Sequence, residues 1–516
     1  MDLNFKTLND YKIMLDSLGL LVSDNSSSAD FGILIKGLTY NSKKATEDGL
    51  FICKGLNFRE EYLMEALNLG ASAYVCEDGS LLASKDALKK EGHEVPRIIV
   101  RDMRMVLTKL GSMFYDDIWN EKLMLMGITG TKGKSTTACF VKAIMDEYYK
   151  AKGEPGIGFL SGIYTFDGGE PETARKITTP ETLELQEHLV RCVDNGLKGL
   201  VMETSSQALK YRRSDALDYR VCAFLNIAED HISEREHPTF EDYFESKLKI
   251  FSQSRFAAIN CDIDEEHFSR IEEEAHKHCE KVLTFGEHPG ADYYGHSPAS
   301  TPAKLSFTLE AEGMSQEITV SVGGYFNVSN ALAAIAMTRA VGVPFEYIFE
   351  GLAHVTVPGR MELHHLEDKN VDVIVDYAHN KVSYEALFNN VNELYPGRKK
   401  MLVVAVVGNK AFNRRRELGE VAEKYVDKVV LTEQDIGTDD IHQIWSDIRQ
   451  FLSDDKVQAE IPIRREAVYY ACENVPDGWV LILAGNGAER FQKRGLVCVP
   501  EPTDGEVVEK YIEDHR

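Results

Sequence analysis

Apolar residues along this chain gather into short continuous runs, separated by segments whose apolar positions repeat with helical spacing. Between Phe31 and about Tyr115 the runs "GLFICKG", "ASAYVCE" and "PRIIVRD" alternate with the helix-like "EEYLMEALNLG", a pattern that predicts an α/β unit. A second series opens at "KLMLMGITG" and continues through "KGLVMET", "YRVCAFLNI" and "FAAINCD". These runs are apolar almost throughout, as strands covered on both faces of a parallel sheet must be. The stretch "PAKLSFTLEAEGMSQEITVSVGG" alternates instead, and predicts an antiparallel hairpin ahead of the helix "NVSNALAAIAMTRAVG". A third α/β series, "VDVIVDYA", "KMLVVAVVG", "DKVVLTE" and "WVLILAG", follows a Val-Pro-Gly at residues 357 to 359 that suits a linker. The fold expected is three consecutive α/β domains, over residues 1–120, 121–355 and 356–516.

Composition narrows the partners. A chain of 516 residues exceeds what one core can hold, and its 43% hydrophobic and 27% charged residues are those of an ordinary globular protein. A formal net charge of -25 argues against nucleic acid or an acidic membrane as partner, so a polyanionic ligand would need a locally basic pocket. The nine cysteines are odd in number and form no CxxC pair, which favours reduced thiols over zinc ligands or disulfides. The first residues, "MDLNFKTLNDYKIML", lack a basic segment followed by an apolar one, and no run approaches the roughly 18 apolar residues of a membrane span. A cytoplasmic protein is expected.

The segment "GITGTKGKSTTACFV" changes the picture most. A glycine-rich loop between strand and helix aims backbone N–H groups at phosphate, and the helix dipole adds to the attraction. Gly130 and Gly133 permit close approach, Thr131, Lys132 and Thr136 complete the cradle, Lys134 neutralises the outer phosphates and Ser135 offers a hydroxyl to magnesium. The full Walker pattern asks for glycine where Ile128 stands, so the match is to the core "TGTKGKST".

Further segments follow in a particular order: "ITTPETLELQ", "METSSQALKYRR", "LNIAEDHI", "YFESKLKIF", "GYFNVSNALAA", "VPGRMEL" and "VDYAHN". Together they resemble the Mur ligases, which build the peptide of the bacterial cell-wall precursor. "YNSKKATEDGLFICKG" and "AGNGAERFQ" place the likeness with the branch that forms the tripeptide. The resemblance implies a central P-loop ATPase domain and a C-terminal Rossmann-like domain. It also implies an ATP-dependent amide ligase: ATP phosphorylates the free carboxylate of UDP-MurNAc-L-Ala-D-Glu, and an amino acid's amine attacks the acyl phosphate. The N-terminal domain would bind the uridine nucleotide, with Ser42 matching a contact to it although Asn41 and Lys43 replace the usual Asp and Arg.

By the same resemblance Ser135 and Glu203 hold one magnesium ion, and His231 lies near a second. Lys247 matches the lysine that these ligases carry as a carbamate formed with carbon dioxide, which turns a cation into an anion able to contact magnesium. Lys134, Glu203, His231 and Lys247 are the implied catalytic set. Thr178, Thr179, Ser205 and Arg213 match contacts to the muramyl peptide, Asn327 an amide that reads adenine, and Arg360 and Asp376 further nucleotide contacts.

The third domain departs from the family. Ligases that add meso-diaminopimelate present Asp-Asn-Pro-Arg, whose arginine grips the distal carboxylate. Here the segment is "EQDIG", with Gly437 in the arginine's place. That carboxylate would go unpaired at a high desolvation cost, so diaminopimelate is not the expected acceptor. Acidic Glu433, Asp435, Asp439 and Asp440 could attract a terminal ammonium, which makes L-lysine the amino acid expected. Arg416 in "NKAFNRRREL" matches the arginine for the acceptor's α-carboxylate, and Gly485 and Glu489 match further acceptor contacts. Two other readings stay open: a relative of folylpolyglutamate synthase, and a non-catalytic nucleotide-binding paralogue. The sequence leaves the oligomeric state undetermined.

Overall fold

The computed structural model describes residues 4–25, 32–55, 58–90, 93–173, 177–229, 232–233 and 236–516. Among them three sheets follow one another along the chain. The first has five strands in the order Leu21–Asp24, Arg97–Val100, Ala71–Glu77, Gly49–Ile52 and Gly37–Thr39. All neighbours are parallel except the edge strand Leu21–Asp24, which the sequence pattern does not announce.

The second sheet has eleven strands. Its heart is a parallel set in the order Gly158–Leu160, Gly199–Glu203, Met124–Thr129, Tyr219–Phe224, Ser254–Asn260 and Lys281–Gly286. Alternate residues of these strands feed two different cores. Met126, Ile128, Val201 and Val221 pack on the side of helices Lys134–Ala151 and Asn327–Ala340, while Leu125, Leu200, Met202 and Phe224 pack on the side of helix Thr182–Asp194. Burial of both faces is the reason the runs read as uniformly apolar. The alternating stretch forms the antiparallel strands Leu305–Ala311 and Met314–Val320, paired in register from Leu305 with Val320 to Ala311 with Met314.

The third sheet runs Glu362–Leu366, Val371–Asp376, Val480–Ala484, Lys400–Val404, Lys428–Leu431 and Val457–Glu460, parallel but for its first strand. A hairpin, Phe491–Arg494 with Val497–Pro500, stands beside it and was not expected from the sequence. No helix among the described residues is long and apolar enough to cross a membrane.

The first unit docks on the second through helix Met103–Tyr115 against helix Thr182–Asp194, and Leu183 packs in the first unit's core. Gly111 makes this approach possible, since a Cβ there would lie 1.7 Å from Oε1 of the buried Gln186, whose amide donates to the Thr108 carbonyl at 3.4 Å. Gly111→Val should therefore lower stability by about 1–3 kcal/mol through overpacking, read as a lower denaturant midpoint. Gly111→Ala combined with Gln186→Ala, which clears the space, should recover most of that loss.

Candidate active site

Strand Met124–Thr129 lies between Gly199–Glu203 and Tyr219–Phe224, where the chain order reverses, the switch point beyond whose carboxyl strand ends open α/β sheets place their ligands. The loop after it enters helix Lys134–Ala151 through Gly133 in the left-handed region, at φ 84°. A side chain at Gly133 would meet Asn330 Oδ1 at 2.2 Å. Lys134 curls over the loop and donates to the carbonyls of Gly130 (2.9 Å) and Thr131 (3.1 Å). Asn226, just past the neighbouring strand, accepts from the backbone N–H of Thr131 (3.0 Å) and of Lys132 (2.8 Å) and donates to the Lys132 carbonyl (3.1 Å). Sequence reasoning quoted its segment but missed this residue; its signal is an asparagine directly after a strand flanking the phosphate loop. Thr136 is buried in the first helical turn, and the Thr131 hydroxyl accepts from Tyr243 at 3.1 Å.

Glu203 ends its strand fully enclosed, and one carboxylate oxygen accepts three donors: Ser135 Oγ (2.7 Å), Ser161 Oγ (2.6 Å) and the Gly162 N–H (2.8 Å). A carboxylate and a serine hydroxyl beside a phosphate loop are hard oxygen donors of the kind magnesium prefers, so the residues fit that ion. Lys247 is buried at the same loop. It donates to the Gly130 carbonyl at 2.7 Å and lies 4.6 Å over the Tyr243 ring. His231 lies outside the described residues.

The expected peptide contacts gather on the other side of Glu203. Its backbone carbonyl accepts from Thr179 Oγ1 at 2.9 Å, Thr179 in turn accepts from the Ser205 N–H at 3.0 Å, and Arg213 donates to the Thr179 carbonyl at 3.4 Å. Ser205 also caps the short helix Ser206–Lys210. Thr178 sits beside Gly162, on the side facing the Glu203 carboxylate. Glu181 bridges Arg213, at 2.6 Å, and Lys54 of the first unit. Burial pushes its carboxyl up, but these two cations outweigh burial and hold it below the ordinary range. Ser42 stands apart in the first unit, donating to Glu65 at 2.6 Å.

Helix Asn327–Ala340 begins at Asn327, whose amide is engaged at both ends, with the Gly323 carbonyl (2.8 Å) and the Asn330 amide (2.9 Å). In the third unit Asp376 accepts from the backbone N–H of Met361 (2.9 Å) and Ala378 (2.8 Å). Arg360 stacks 4.3 Å over Tyr377. Next to them is His379, another residue sequence reasoning left unassigned. Its Nδ1 pairs with the Tyr377 carbonyl at 2.9 Å. Enclosure pushes its pKa down to about 4, helped by the positive charges of Arg414, Lys132 and Arg360. Tyr377 donates to Glu489 at 3.0 Å, and burial, aided by Asp435, raises the Glu489 carboxyl to about 7.

The structure redistributes the other acceptor candidates. Arg416 is 62% exposed, with Glu420 3.6 Å away. Arg415 is the buried member of the triplet and is occupied by Asp439 (2.6 Å) and Asp447 (2.8 Å). Arg414 is the one whose charge reaches His379. Glu433 is buried in an ion pair with Arg494, and exposed Asp440 caps helix Ile441–Arg449 by accepting from the His442 N–H. Asp435 accepts from the Lys493 N–H at 2.6 Å, and its charge reaches Glu489. Gly485 adjoins Gln434, whose amide donates to the Gly485 carbonyl at 2.6 Å. Gly437 has φ 59°, and a Cβ there would be 2.0 Å from Asn409 Oδ1.

Two units of the chain match described domain families: residues 128–338 the Mur ligase middle domain, and residues 359–487 the Mur ligase glutamate ligase domain. The UDP-N-acetylmuramoyl-L-alanyl-D-glutamate--L-lysine ligase of Enterococcus faecalis is 34% identical over 487 residues, covering 93% of this chain and 92% of that protein. The UDP-N-acetylmuramyl-tripeptide synthetase of Lactococcus lactis subsp. cremoris is 36% identical over 481 residues, 92% of each. Among solved structures, a UDP-N-acetylmuramoyl-L-alanyl-D-glutamate--2,6-diaminopimelate ligase superposes with a TM-score of 0.62 at 22% identity, covering 95% of this chain and 97% of that one. With the phosphate loop, the oxygen pair and the peptide-side cluster in place, the chain belongs to the Mur ligases, a family of ATP-dependent amide ligases.

Proposed function

We propose that the chain joins L-lysine to UDP-MurNAc-L-Ala-D-Glu, with residues 1–120 binding the uridine nucleotide, 121–355 ATP and 356–516 the amino acid. One observation carries this reading: Glu203 ties the phosphate loop and the Thr179 cluster together. Its carboxylate accepts from Ser135 of the phosphate loop, and its backbone carbonyl from Thr179 of the peptide cluster. The two reactants therefore meet across one fixed residue.

The substrate carboxylate attacks the γ-phosphorus of ATP and ADP leaves; the lysine amine then attacks the acyl carbon, phosphate departs and the amine gives up its proton. Lys134 and the loop N–H groups screen the charge where carboxylate and triphosphate approach. Magnesium held by Ser135 and Glu203, with His231 and with Lys247 as its carbamate, would supply further neutralisation there. Asn327, Arg360 and Asp376 are assigned to the nucleotide, and Asn327 must exchange an internal amide contact to read the base. Arg414 replaces Arg416 as the cation for the acceptor's α-carboxylate. Glu489 and Asp435 take its terminal ammonium. The lysine assignment is supported by the lysine ligase relative and by glycine standing at position 437. The first sheet of 21–100, ahead of the ATPase unit, disfavours the folylpolyglutamate alternative, whose relatives start near the phosphate loop. The peptide cluster of Thr179, Ser205 and Arg213 disfavours a purely nucleotide-binding role.

Purified protein given ATP, magnesium and UDP-MurNAc-L-Ala-D-Glu should release phosphate with L-lysine and not with meso-diaminopimelate, the product being weighed by mass spectrometry. Silence with every amino acid would overturn the reading. Lys247→Ala should lower turnover at least ~100-fold while ATP affinity changes little; undiminished turnover would remove Lys247 from the catalytic set. The Glu489 carboxyl, raised to about 7, is neutral below that pH and a poor partner for ammonium. KM for lysine should consequently fall as pH rises through about 7, and Glu489→Gln should abolish that dependence while leaving the pH profile of kcat in place.

A further inference from the structure

Glu181 is the N-cap residue of helix Thr182–Asp194, yet its side chain makes no capping bond. It reaches across the seam between the first two units instead, one oxygen to Arg213 (2.6 Å) and the other to Lys54. Lys54 follows the buried strand Gly49–Ile52 and lies 4.8 Å over the Tyr40 ring. Arg213 is 12% exposed; one arm reaches the Thr179 carbonyl, and its Nε has no partner among the described residues. Two cations from different units thus converge on one carboxylate, beside the hydroxyls assigned to the muramyl peptide.

The D-glutamate of that peptide has two carboxylates. One is phosphorylated. The other stays anionic, and at a partly buried seam it needs cations. The Arg213 fork and the Lys54 ammonium are aimed at a carboxylate already, and Glu181 supplies it. An incoming carboxylate gains the same paired geometry only by taking Glu181's place. We propose that Glu181 is an internal competitor for the substrate's non-reacting carboxylate, and that Lys54, together with Arg213, is a substrate-reading residue. The proposal rests on the muramyl-peptide assignment above. It gives the enzyme a way to keep both cations paired at all times while demanding an anionic ligand as the price of exchange.

The seam does not depend on this triad. Thr108 donates to the Arg212 carbonyl at 3.0 Å, Arg104 stacks 4.1 Å over Tyr211, and Trp119 donates to the Ala216 carbonyl at 3.2 Å. Glu181→Gln should therefore still fold, at a modestly lower melting temperature, with unchanged ATP affinity.

Binding of UDP-MurNAc-L-Ala-D-Glu to wild type, Glu181→Gln, Lys54→Met and the double variant tests the proposal by calorimetry. Glu181→Gln should bind several-fold more tightly than wild type. Lys54→Met should cost about tenfold in the Glu181→Gln background, the worth of one charge-assisted contact. If Lys54 serves only to hold Glu181, its replacement is silent once Glu181 has lost its charge. That silence, or a Glu181→Gln variant no tighter than wild type, overturns the proposal while wild-type binding leaves the muramyl-peptide reading standing. A wild-type protein that does not bind the UDP-peptide at all defeats both.

Discussion

A carboxylate held inside a protein must be compensated by donors placed to within a few tenths of an ångström, and Glu203 meets that demand where the phosphate loop and the Thr179 cluster join. Taking its charge from water costs several kcal/mol, which three donors on one oxygen offset. The strand that carries it is paired in parallel on both sides and apolar on both faces, so the residue has little room to shift. Ser135 and Thr179 are then fixed relative to each other through it. The loop, the peptide cluster and the seam with the first unit are all set out from this strand end.

Charge explains how so acidic a chain can handle a triphosphate and an anionic peptide. The formal net charge of -25 is a sum over the whole chain, whereas cations from every unit stand near the candidate site residues. Lys54 comes from the first, Lys132, Lys134 and Arg213 from the second, Arg360 and Arg414 from the third. Near contacts dominate because more distant charges are screened beyond about 8–10 Å. Burial pushes the His379 pKa down to about 4, helped by nearby cations, and the Glu489 carboxyl up to about 7, helped by Asp435.

Much of the architecture was legible because buried parallel strands leave a blunt mark. "KGLVMET" and "WVLILAG" could be nothing else once their neighbours were read, and the hairpin from Leu305 announced itself by alternation. The site was legible where chemistry is local, as in the phosphate loop. It was not legible where helical phase or distant pairing decides. Arg414, Arg415 and Arg416 are adjacent on one helix and therefore point about 100° apart, so only the fold reveals that the second is buried and the third exposed. Glu433 looked like a ligand for ammonium because Arg494, its partner, lies 61 residues away. The edge strand Leu21–Asp24 is too short and too polar to leave a periodic signal.

The loop around Gly437 is held by backbone contacts as much as by side chains. Gly437 donates to the Lys493 carbonyl (3.0 Å) and accepts from the Gly495 N–H (2.7 Å), so the hairpin Phe491–Arg494 with Val497–Pro500 grips it from one side. Asn409 Oδ1 closes the other, accepting from the Thr438 N–H at 2.9 Å while filling the space a Cβ would need. An arginine cannot simply be restored at this position: its Cβ would meet Asn409, and φ 59° is itself unfavourable for a side chain. Asp435, also in the left-handed region, is pinned by the Lys493 N–H. The loop, its hairpin and Asn409 form one interlocked unit, so the path of the chain itself disfavours an arginine at position 437.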